Sequence, residues 1–366
     1  MPLSAGIIGL PNVGKSTLFN ALCSAHAAME NYPFCTIDPN RGMTAVPDDR
    51  LGRIASVITT AKIVPAFLEL IDIAGLVKGA SHGEGLGNQF LGHIKDVDAV
   101  VHVVRCFEDP DVVHVDGSID PLRDAATVET EILLKDLDTA TSGVDRIAKA
   151  AKSGDKELKA RLEIYERVQS GLERGIPARE SAAGEGELGE IAAMHLISAK
   201  PILYVGNVAE ADLSPASESP HVESLREFAA DRGIPFVPIC ARIEAELNDL
   251  PEDERGEFLA SLGLAESGLA RLSREVYALL GLESFFTWNE KELHARTLPV
   301  GSTAPQAAGT IHSDFEKGFV RADVYSVGDL EEFRTEPAMR AAGKIRSEGR
   351  DYVVKDGEIL FFKFTP

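Results

Sequence analysis

The strongest constraint on the fold of this chain is a short glycine-containing segment near its N-terminus. Residues 9–16 read Gly-Leu-Pro-Asn-Val-Gly-Lys-Ser; an apolar run comes before them and a helical pattern follows. Gly9 and Gly14 allow the backbone to wrap closely around a phosphate, with successive N–H groups pointing inward. The N-terminus of the following helix adds the positive end of its dipole. This strand–loop–helix order predicts a loop that binds the phosphates of a nucleoside triphosphate.

The last residues of this loop supply the charged and hydroxyl groups that such a site needs. We expect Lys15 to reach the β- and γ-phosphates and to neutralise the charge that develops during hydrolysis. We expect the Ser16 hydroxyl to coordinate Mg²⁺. Contacts to the nucleotide are predicted for Asn12, Val13, Gly14, Lys15, Ser16 and Thr17.

Two further segments are predicted to complete the magnesium and γ-phosphate site. Asp72 stands near the end of an apolar run, where its carboxylate can hold Mg²⁺ through a water, and Gly75 can offer its N–H to the γ-phosphate. Thr36 lies between the first helix and the second strand. It is predicted to join the Mg²⁺ shell when the triphosphate is bound, as in a switch loop.

Apolar runs rich in isoleucine and valine alternate with helical patterns along the chain. Such runs are typical of buried parallel strands, and the alternation predicts an α/β fold with a doubly wound sheet. Strands are predicted at residues 5–10, 67–73, 99–106, 201–208 and 235–241, and helices at residues 15–23 and 50–58.

This regularity is interrupted between residues 125 and 198. The segment is dominated by alanine, glutamate, lysine, leucine and arginine, with apolar residues at helical spacing and a Ser153-Gly154 pair between the two apolar series. The pattern predicts an inserted pair of long antiparallel helices, a coiled-coil-like arm. Both a purely structural arm and a partner-binding arm fit it.

The pattern changes again near the C-terminus. Short β-like pieces at residues 297–300, 320–324, 352–354 and 359–364 are separated by turn residues. They predict a small α+β domain over residues 281–366, after a phosphate-loop domain over residues 1–280 that the arm interrupts.

Charge and composition exclude several classes of function. The formal net charge of −21 repels nucleic acid in general, so no direct DNA binding is expected. No apolar run approaches the length of about 20 residues that a membrane-spanning helix needs, and no export signal is evident, so a cytoplasmic protein is predicted. The cysteines Cys23, Cys35, Cys106 and Cys240 lack the spacing of a zinc site and are expected to be reduced thiols.

Several longer motifs resemble the Obg-like ATPases of the YchF type, within the translation-factor-related P-loop GTPases. They are GLPNVGKSTLFNAL from Gly9, NYPFCTIDPN from Asn31, DIAGLVKGAS from Asp72, GEGLGNQFL from Gly83, HVVRCFED from His102, VGNVAE from Val205 and PVGSTAPQAAGTIHSDFEKGFVRADV from Pro299. The last motif resembles a TGS domain. The resemblance implies an ATPase switch that associates with the ribosome, chiefly with its large subunit.

The segment that reads the base departs from the GTPase pattern. GTPases of this class recognise guanine with Asn-Lys-x-Asp, whereas this chain has Asn207-Val208-Ala209-Glu210. The resemblance to a family with this pattern implies a preference for ATP, with adenine contacts from Asn207 and Val208 and with Glu210 in the same site. Cys240 and Ala241 are expected near the base and sugar. A GTPase in which Glu210 replaces the usual aspartate is the alternative.

The water that attacks the γ-phosphate lacks its usual partner. Many relatives place a glutamine directly after Asp-x-x-Gly, and this chain has Leu76. The resemblance suggests K⁺ bound by Asn12 as one substitute, and His114 from a mobile segment is the other. His102 lies in an apolar strand and is predicted to be a core histidine. Slow turnover is expected, and a non-catalytic scaffold that binds nucleotide remains a third possibility.

A local basic patch is the feature that best fits a ribosomal partner. The C-terminal 86 residues carry 11 lysines and arginines against 14 acidic residues, so they are far less acidic than the rest. The candidate patch consists of Lys317, Arg321, Arg340, Lys344, Arg346 and Arg350.

Overall fold

The computed structural model describes residues 3–27, 40–73, 94–213 and 219–365. It divides into two compact units: the first contains Met1–Met43 and Glu69–Leu272, and the second contains Thr44–Leu68 and Ser273–Pro366. The second unit therefore takes in an N-terminal segment that the sequence pattern did not separate. The expected domain boundary between residues 280 and 281 stays a prediction.

The strands and helices of the described residues have the following bounds. In chain order the strands are β1 Ser4–Ile8, β2 Arg41–Val46, β3 Ile63–Val64, β4 Ala66–Asp72, β5 Ala99–Arg105, β6 Ile202–Asn207, β7 Phe236–Ile239, β8 Leu282–Trp288, β9 Leu293–Pro299, β10 Phe319–Ser326, β11 Arg346–Glu348 and β12 Glu358–Phe364. The helices are α1 Lys15–Ala27, α2 Asp49–Ala55, α3 Pro121–Ala151, α4 Lys156–Glu173, α5 Glu185–Ala192, α6 Pro220–Ala230, α7 Ala241–Asp249, α8 Glu252–Ser261, α9 Gly268–Leu279, α10 Ala304–Gly309, α11 Ser313–Lys317, α12 Val327–Phe333 and α13 Glu336–Ala341.

The first sheet has the strand order β2-β4-β1-β5-β6-β7. Strand β1 pairs in parallel with β4 and β5, and β6 pairs in parallel with β5 and β7. Every residue of β1, β5 and β6 is buried, as expected for strands that are covered on both faces. The doubly wound α/β fold and the five predicted strands are confirmed, as are the helices predicted at residues 15–23 and 50–58.

The inserted helical hairpin is also confirmed. Asp120 caps α3 by accepting from the Arg123 N–H, and Asp155 caps α4 in the same way through the N–H groups of Glu157 and Leu158. The predicted turn lies between the two helices, where Gly154 takes a φ of +88°. The two helices share a core that includes Ala140, Ile147, Tyr165, Val168 and Leu172.

A buried carboxylate ties the hairpin to the chain that returns from it. Asp136 on α3 is fully buried, and its oxygens accept from the N–H groups of Ile197 (2.8 Å) and Ser198 (2.6 Å). Burial raises the pKa of Asp136, and the hydrogen bonds from Ser198 and Ile197 oppose that rise. The root of the arm is therefore fixed by two charge-assisted hydrogen bonds.

The second sheet has the order β11-β10-β12-β8-β9-β3. Strand β10 is antiparallel to β11 and β12, β8 is antiparallel to β9, and the pairs β12–β8 and β3–β9 are parallel. One face buries Phe285, Leu298, Phe319, Val324 and Leu360 against α10. The small α+β architecture is confirmed.

One predicted strand of this unit is wrong. Residues 352–354 form no strand, and Val353 makes only a single bridge to Thr303. The bridge has two hydrogen bonds, from the Val354 N–H to the Ser302 carbonyl and from the Ala304 N–H to the Tyr352 carbonyl, and it extends no further because α10 begins at Ala304. Among the described residues, no helix is both long and apolar enough to cross a membrane.

Candidate functional site

The phosphate loop begins where β1 ends, and two of its positions accept only glycine. Gly9 has a φ of +151°, and a Cβ placed there would lie 2.3 Å from the Val103 carbonyl oxygen. Gly14 has a φ of +95°, and a Cβ there would lie 2.2 Å from the Asn207 amide nitrogen. Real side chains do not reach such distances, so the close packing of the loop against β5 and β6 requires both glycines.

Asn12 takes a left-handed backbone conformation between them, with a φ of +61°. Asparagine tolerates that region better than other residues with a side chain. Its Nδ2 donates to the Val113 carbonyl at 3.1 Å. Because a carbonyl only accepts, this bond fixes the orientation of the amide and leaves Oδ1 free to act as an acceptor.

Lys15, the first residue of α1, carries its charge in a buried position. It is 7% exposed, and its Nζ donates to the Leu10 carbonyl at 2.7 Å across the loop. Burial lowers the pKa of Lys15 to about 8, and the charge of Asp72 partly opposes this. A desolvated ammonium held beside backbone N–H groups is suited to bind an anion.

Ser16 and Asp72 meet as the sequence predicts for a magnesium site. The Ser16 hydroxyl donates to Asp72 Oδ2 at 3.1 Å, and Asp72 Oδ1 is buried without a partner among the described residues. Burial raises the pKa of Asp72, whereas the Ser16 hydrogen bond and the Lys15 charge lower it. An unpartnered carboxylate oxygen next to a hydroxyl matches the hard oxygen ligands that Mg²⁺ prefers.

Asn207 is held by the protein at both ends of its side-chain amide, and its contact to the adenine stays a prediction. Its Nδ2 donates to the Val13 carbonyl at 2.9 Å, and its Oδ1 accepts from the Ala241 N–H at 3.1 Å. It therefore ties the phosphate loop to the turn before α7, which contains the buried Cys240 and Ala241. Val208 is buried beside it, and its N–H donates to the Ile239 carbonyl.

Glu210 has a partner that sequence spacing did not predict. Its carboxylate meets the Arg242 guanidinium at 3.2 Å, with 48% and 70% of the two side chains exposed. The pair connects the segment after β6 with the first turn of α7. The contact adds Arg242, which directly follows Cys240 and Ala241, to the candidate site.

His114 is held by hydrogen bonds on both ring nitrogens. Nε2 lies 2.7 Å from Asp124 Oδ2, and Nδ1 accepts from the Asp116 N–H at 3.1 Å. These partners select the tautomer with the proton on Nε2. His114, Asp116 and Asp124 lie close enough to hold a metal ion, but Arg123 already pairs with both carboxylates and this tautomer cannot offer Nε2.

His102 lies in the core, as the sequence predicts. It is 1% exposed, its ring stacks at 5.2 Å on Tyr204, and burial lowers its pKa to about 3. Its Nδ1 has no partner among the described residues. A neutral histidine in this position is part of the packing of β5 on β6.

Arg105 is a feature of the site that the sequence pattern did not single out. This residue ends β5, is 1% exposed, and lies opposite Asn207 in the parallel register. Its guanidinium donates to the carbonyls of Phe107 (3.1 Å), Asp109 (3.1 Å) and Val112 (2.9 Å). A charged residue at the end of a strand that is otherwise apolar except for His102 was the signal available for it.

Some predicted positions lie outside the described residues, and some predicted basic residues are paired with carboxylates of the protein. Thr36, Gly75 and Leu76 fall in segments that the structure does not describe, so their roles stay predictions. Thr17 is exposed in the first turn of α1. In the second unit, three of the predicted basic residues face carboxylates: Arg340 with Asp323, Lys344 with Asp329, and Arg346 with Glu358.

Comparison with known proteins shows that the whole chain is similar to one group of proteins. Residues 4–137 match a family model described as a 50S ribosome-binding GTPase, and residues 282–365 match the model named YchF-GTPase_C, described as a protein of unknown function. The chain is 48% identical to the ribosome-binding ATPase YchF of Haemophilus influenzae and 46% identical to that of Bacillus subtilis, with 100% of both chains covered in each case. It is 44% identical to Obg-like ATPase 1 of Caenorhabditis elegans, over 99% of this chain and 92% of the other.

A solved structure agrees with these sequence matches. The YchF GTPase of Schizosaccharomyces pombe superposes with a TM-score of 0.89 at 37% identity, covering 99% of this chain and 97% of the other. A GTP-binding protein from Pyrococcus horikoshii, at 20% identity and a TM-score of 0.62, shares the fold.

Proposed function

The chain belongs to the YchF family, and on that premise we propose that it is a Mg²⁺-dependent ATPase that prefers ATP to GTP and works as a slow nucleotide switch. The observation that carries the proposal is the meeting of Lys15, Ser16 and Asp72 at the phosphate loop. This is the set of groups that binds and activates a triphosphate in P-loop enzymes.

The residues of the site fit a magnesium ion. Ser16 and Asp72 would hold it, Asp72 through a water, and Thr36 would join when triphosphate is bound. When bound, Mg²⁺ would supply positive charge to neutralise the phosphates during in-line attack by water. Lys15 and the loop N–H groups stabilise the charge that grows on the phosphate oxygens.

The contacts around Glu210 support adenine as the preferred base. A guanine site needs a carboxylate that accepts from guanine N1 and N2, and a mismatched polar site loses affinity strongly. Here the Glu210 carboxylate already accepts from Arg242, and Val208 stands where GTPases carry lysine. A GTPase of the Obg class is the alternative, in which Glu210 would also accept from guanine N1 and N2.

The hydrolytic water needs a partner that Leu76 does not supply. Asn12 is suited to bind K⁺, because its Nδ2 is held by Val113 and its Oδ1 is left as an acceptor. His114 serves only if it releases Asp124 or the Asp116 N–H, because both ring nitrogens are engaged. A cation-assisted reaction therefore demands less rearrangement of the described residues than a histidine-assisted one.

Turnover measurements test this proposal. We expect slow ATP hydrolysis that disappears with EDTA and rises when Na⁺ is replaced by K⁺, with a further rise when ribosomes are added. Turnover that stays at background with Mg²⁺, K⁺ and ribosomes together would contradict the enzyme assignment and favour a non-catalytic scaffold.

The His114→Ala variant tests the histidine separately. If His114 positions the water, turnover falls by about 10²-fold while nucleotide affinity is unchanged. His221→Ala, which changes a partly exposed histidine on α6, is the control and should keep full turnover. Unchanged turnover in His114→Ala would remove His114 from the mechanism.

We also propose that the protein acts in the cytoplasm on the ribosome, chiefly on the large subunit. The names of its relatives support a ribosomal partner, and the description of the N-terminal family model supports the large subunit. Because Arg340, Lys344 and Arg346 are paired with carboxylates, the exposed Lys317 and Arg321 are the better candidates for phosphate contacts.

Charge reversal tests this surface. The double variant Lys317→Glu, Arg321→Glu should co-sediment more weakly with ribosomes. The slope of log affinity against log salt concentration should become shallower by the equivalent of about two phosphate contacts. Lys291→Glu, an exposed lysine in the turn between β8 and β9, serves as the control. Equal co-sedimentation of both variants at every salt concentration would show that the patch is irrelevant.

A further inference from the structure

The segment of residues 107–113 connects the end of β5 to the phosphate loop. It begins two residues after Arg105, includes Val112, and brings the Val113 carbonyl to Asn12 Nδ2. The next residue, His114, contacts Asp124 in the first turn of α3. The conformation of residues 107–113 therefore determines which backbone carbonyl contacts Asn12 in the phosphate loop.

Arg105 holds this segment from inside. All three guanidinium nitrogens donate, each to a different backbone carbonyl of the segment, and the guanidinium lies 4.5 Å from the centre of the Phe107 ring. Among the described residues no carboxylate lies within ion-pair distance of Arg105. Among the described residues, its buried charge is thus satisfied by three carbonyl dipoles and the Phe107 ring, all within this segment, which requires the segment to keep this one conformation.

The hydrogen bonds from Arg105 to the segment affect Asn12 because they act on adjacent peptide groups. Arg105 Nη1 fixes the Val112 carbonyl, and the next carbonyl along the chain, that of Val113, accepts from Asn12. Because that acceptor fixes Nδ2, it also fixes the direction of Oδ1. If the segment moved, the Asn12 amide would be free to rotate in its strained left-handed position.

We propose that Arg105 is a positioning residue for the phosphate loop: by fixing residues 107–112 it sets the Val113 carbonyl, which holds the Asn12 amide with Oδ1 presented as a cation ligand. The inference rests on the proposed ATPase function for its kinetic consequence. The structural link from Arg105 to Asn12 does not depend on it.

Substitutions at Arg105 separate this role from plain stability. Lysine keeps the charge but replaces the three-way fork by a single ammonium, and methionine leaves the carbonyls unpaired. Arg255→Lys is the control, because Arg255 is half-buried and also donates to backbone carbonyls, those of Leu250 and Asn248.

The kinetic test is the K⁺ dependence of ATP hydrolysis. We expect Arg105→Lys and Arg105→Met to raise the K⁺ concentration for half-maximal activation by about tenfold, with ATP affinity changed less than about twofold. In an Asn12→Ala background, Arg105→Lys should have no further effect on that midpoint. A lowered melting temperature with an unmoved K⁺ midpoint would overturn the proposal and assign Arg105 a structural role.

A spectroscopic test keeps the proposal falsifiable if the wild-type protein shows no hydrolysis or no cation response. In ¹⁵N-asparagine-labelled protein, the Asn12 side-chain signals are identified by their loss in Asn12→Ala. We expect these signals to shift or broaden in Arg105→Lys and to stay in place in Arg255→Lys. Unchanged Asn12 signals in Arg105→Lys would contradict the link, whereas a shift without hydrolysis would contradict only the proposed function.

Discussion

Lys15 and Asp72 carry opposite charges in surroundings that disfavour both. Burial lowers the pKa of Lys15 and raises that of Asp72, and each group partly restores the charge of the other. Such a pair is stabilised further when phosphate and metal ion supply the missing counter-charges. At the scale of single residues, the site is thus arranged for its ligands rather than for its own stability.

The pKa of Lys15 predicts how nucleotide binding depends on pH. In the free protein Lys15 loses its proton near pH 8, whereas phosphate binding requires the charged form. Binding is therefore coupled to proton uptake, and ADP affinity should fall as pH rises through 8, approaching tenfold per pH unit.

Calorimetric titration with ADP from pH 7 to pH 9.5 checks this dependence. Lys15→Arg keeps its charge over the whole range and should show a flat profile even if its affinity is lower. An unchanged wild-type affinity up to pH 9.5 would show that Lys15 stays protonated in the free protein.

At the scale of elements, strand ends and helix starts bring distant residues together. Asn207, at the end of β6, joins the loop after β1 to the turn before α7. Asp136, in the middle of α3, joins the arm to residues 197–199 before β6. Both contacts satisfy backbone groups that would otherwise be buried without partners.

The contribution of Asp136 to the free energy of unfolding can therefore be predicted. Asp136→Leu leaves the N–H groups of Ile197 and Ser198 unpaired and should lower the free energy of unfolding by about 3 kcal/mol. Asp138→Leu, an exposed position on the same helix, should change it by less than about 0.5 kcal/mol. Urea unfolding of both variants gives the comparison, and equal losses would mean that the anchor contributes nothing.

At the scale of the whole molecule, the sequence predicted those elements that are determined by patterns among neighbouring residues. Buried parallel strands, the helical hairpin and the phosphate loop each have a local signature, and each is present. The strand predicted at residues 352–354 was wrong because the pairing of Val353 with Thr303 ends where α10 begins, and the two-residue strand β3 is too short to show a period in the sequence. The links Asn12–Val113, Arg105–Val112 and Glu210–Arg242 depend on how segments fold back on one another, so spacing alone did not predict them.

A triphosphate site that reads adenine is tested by titrating the purified protein with non-hydrolysable ATP and GTP analogues side by side. We expect ATP to bind at least about tenfold more tightly, and the double variant Val208→Lys, Glu210→Asp to move the preference toward GTP. GTP binding to the wild-type protein tenfold more tightly than ATP would contradict it.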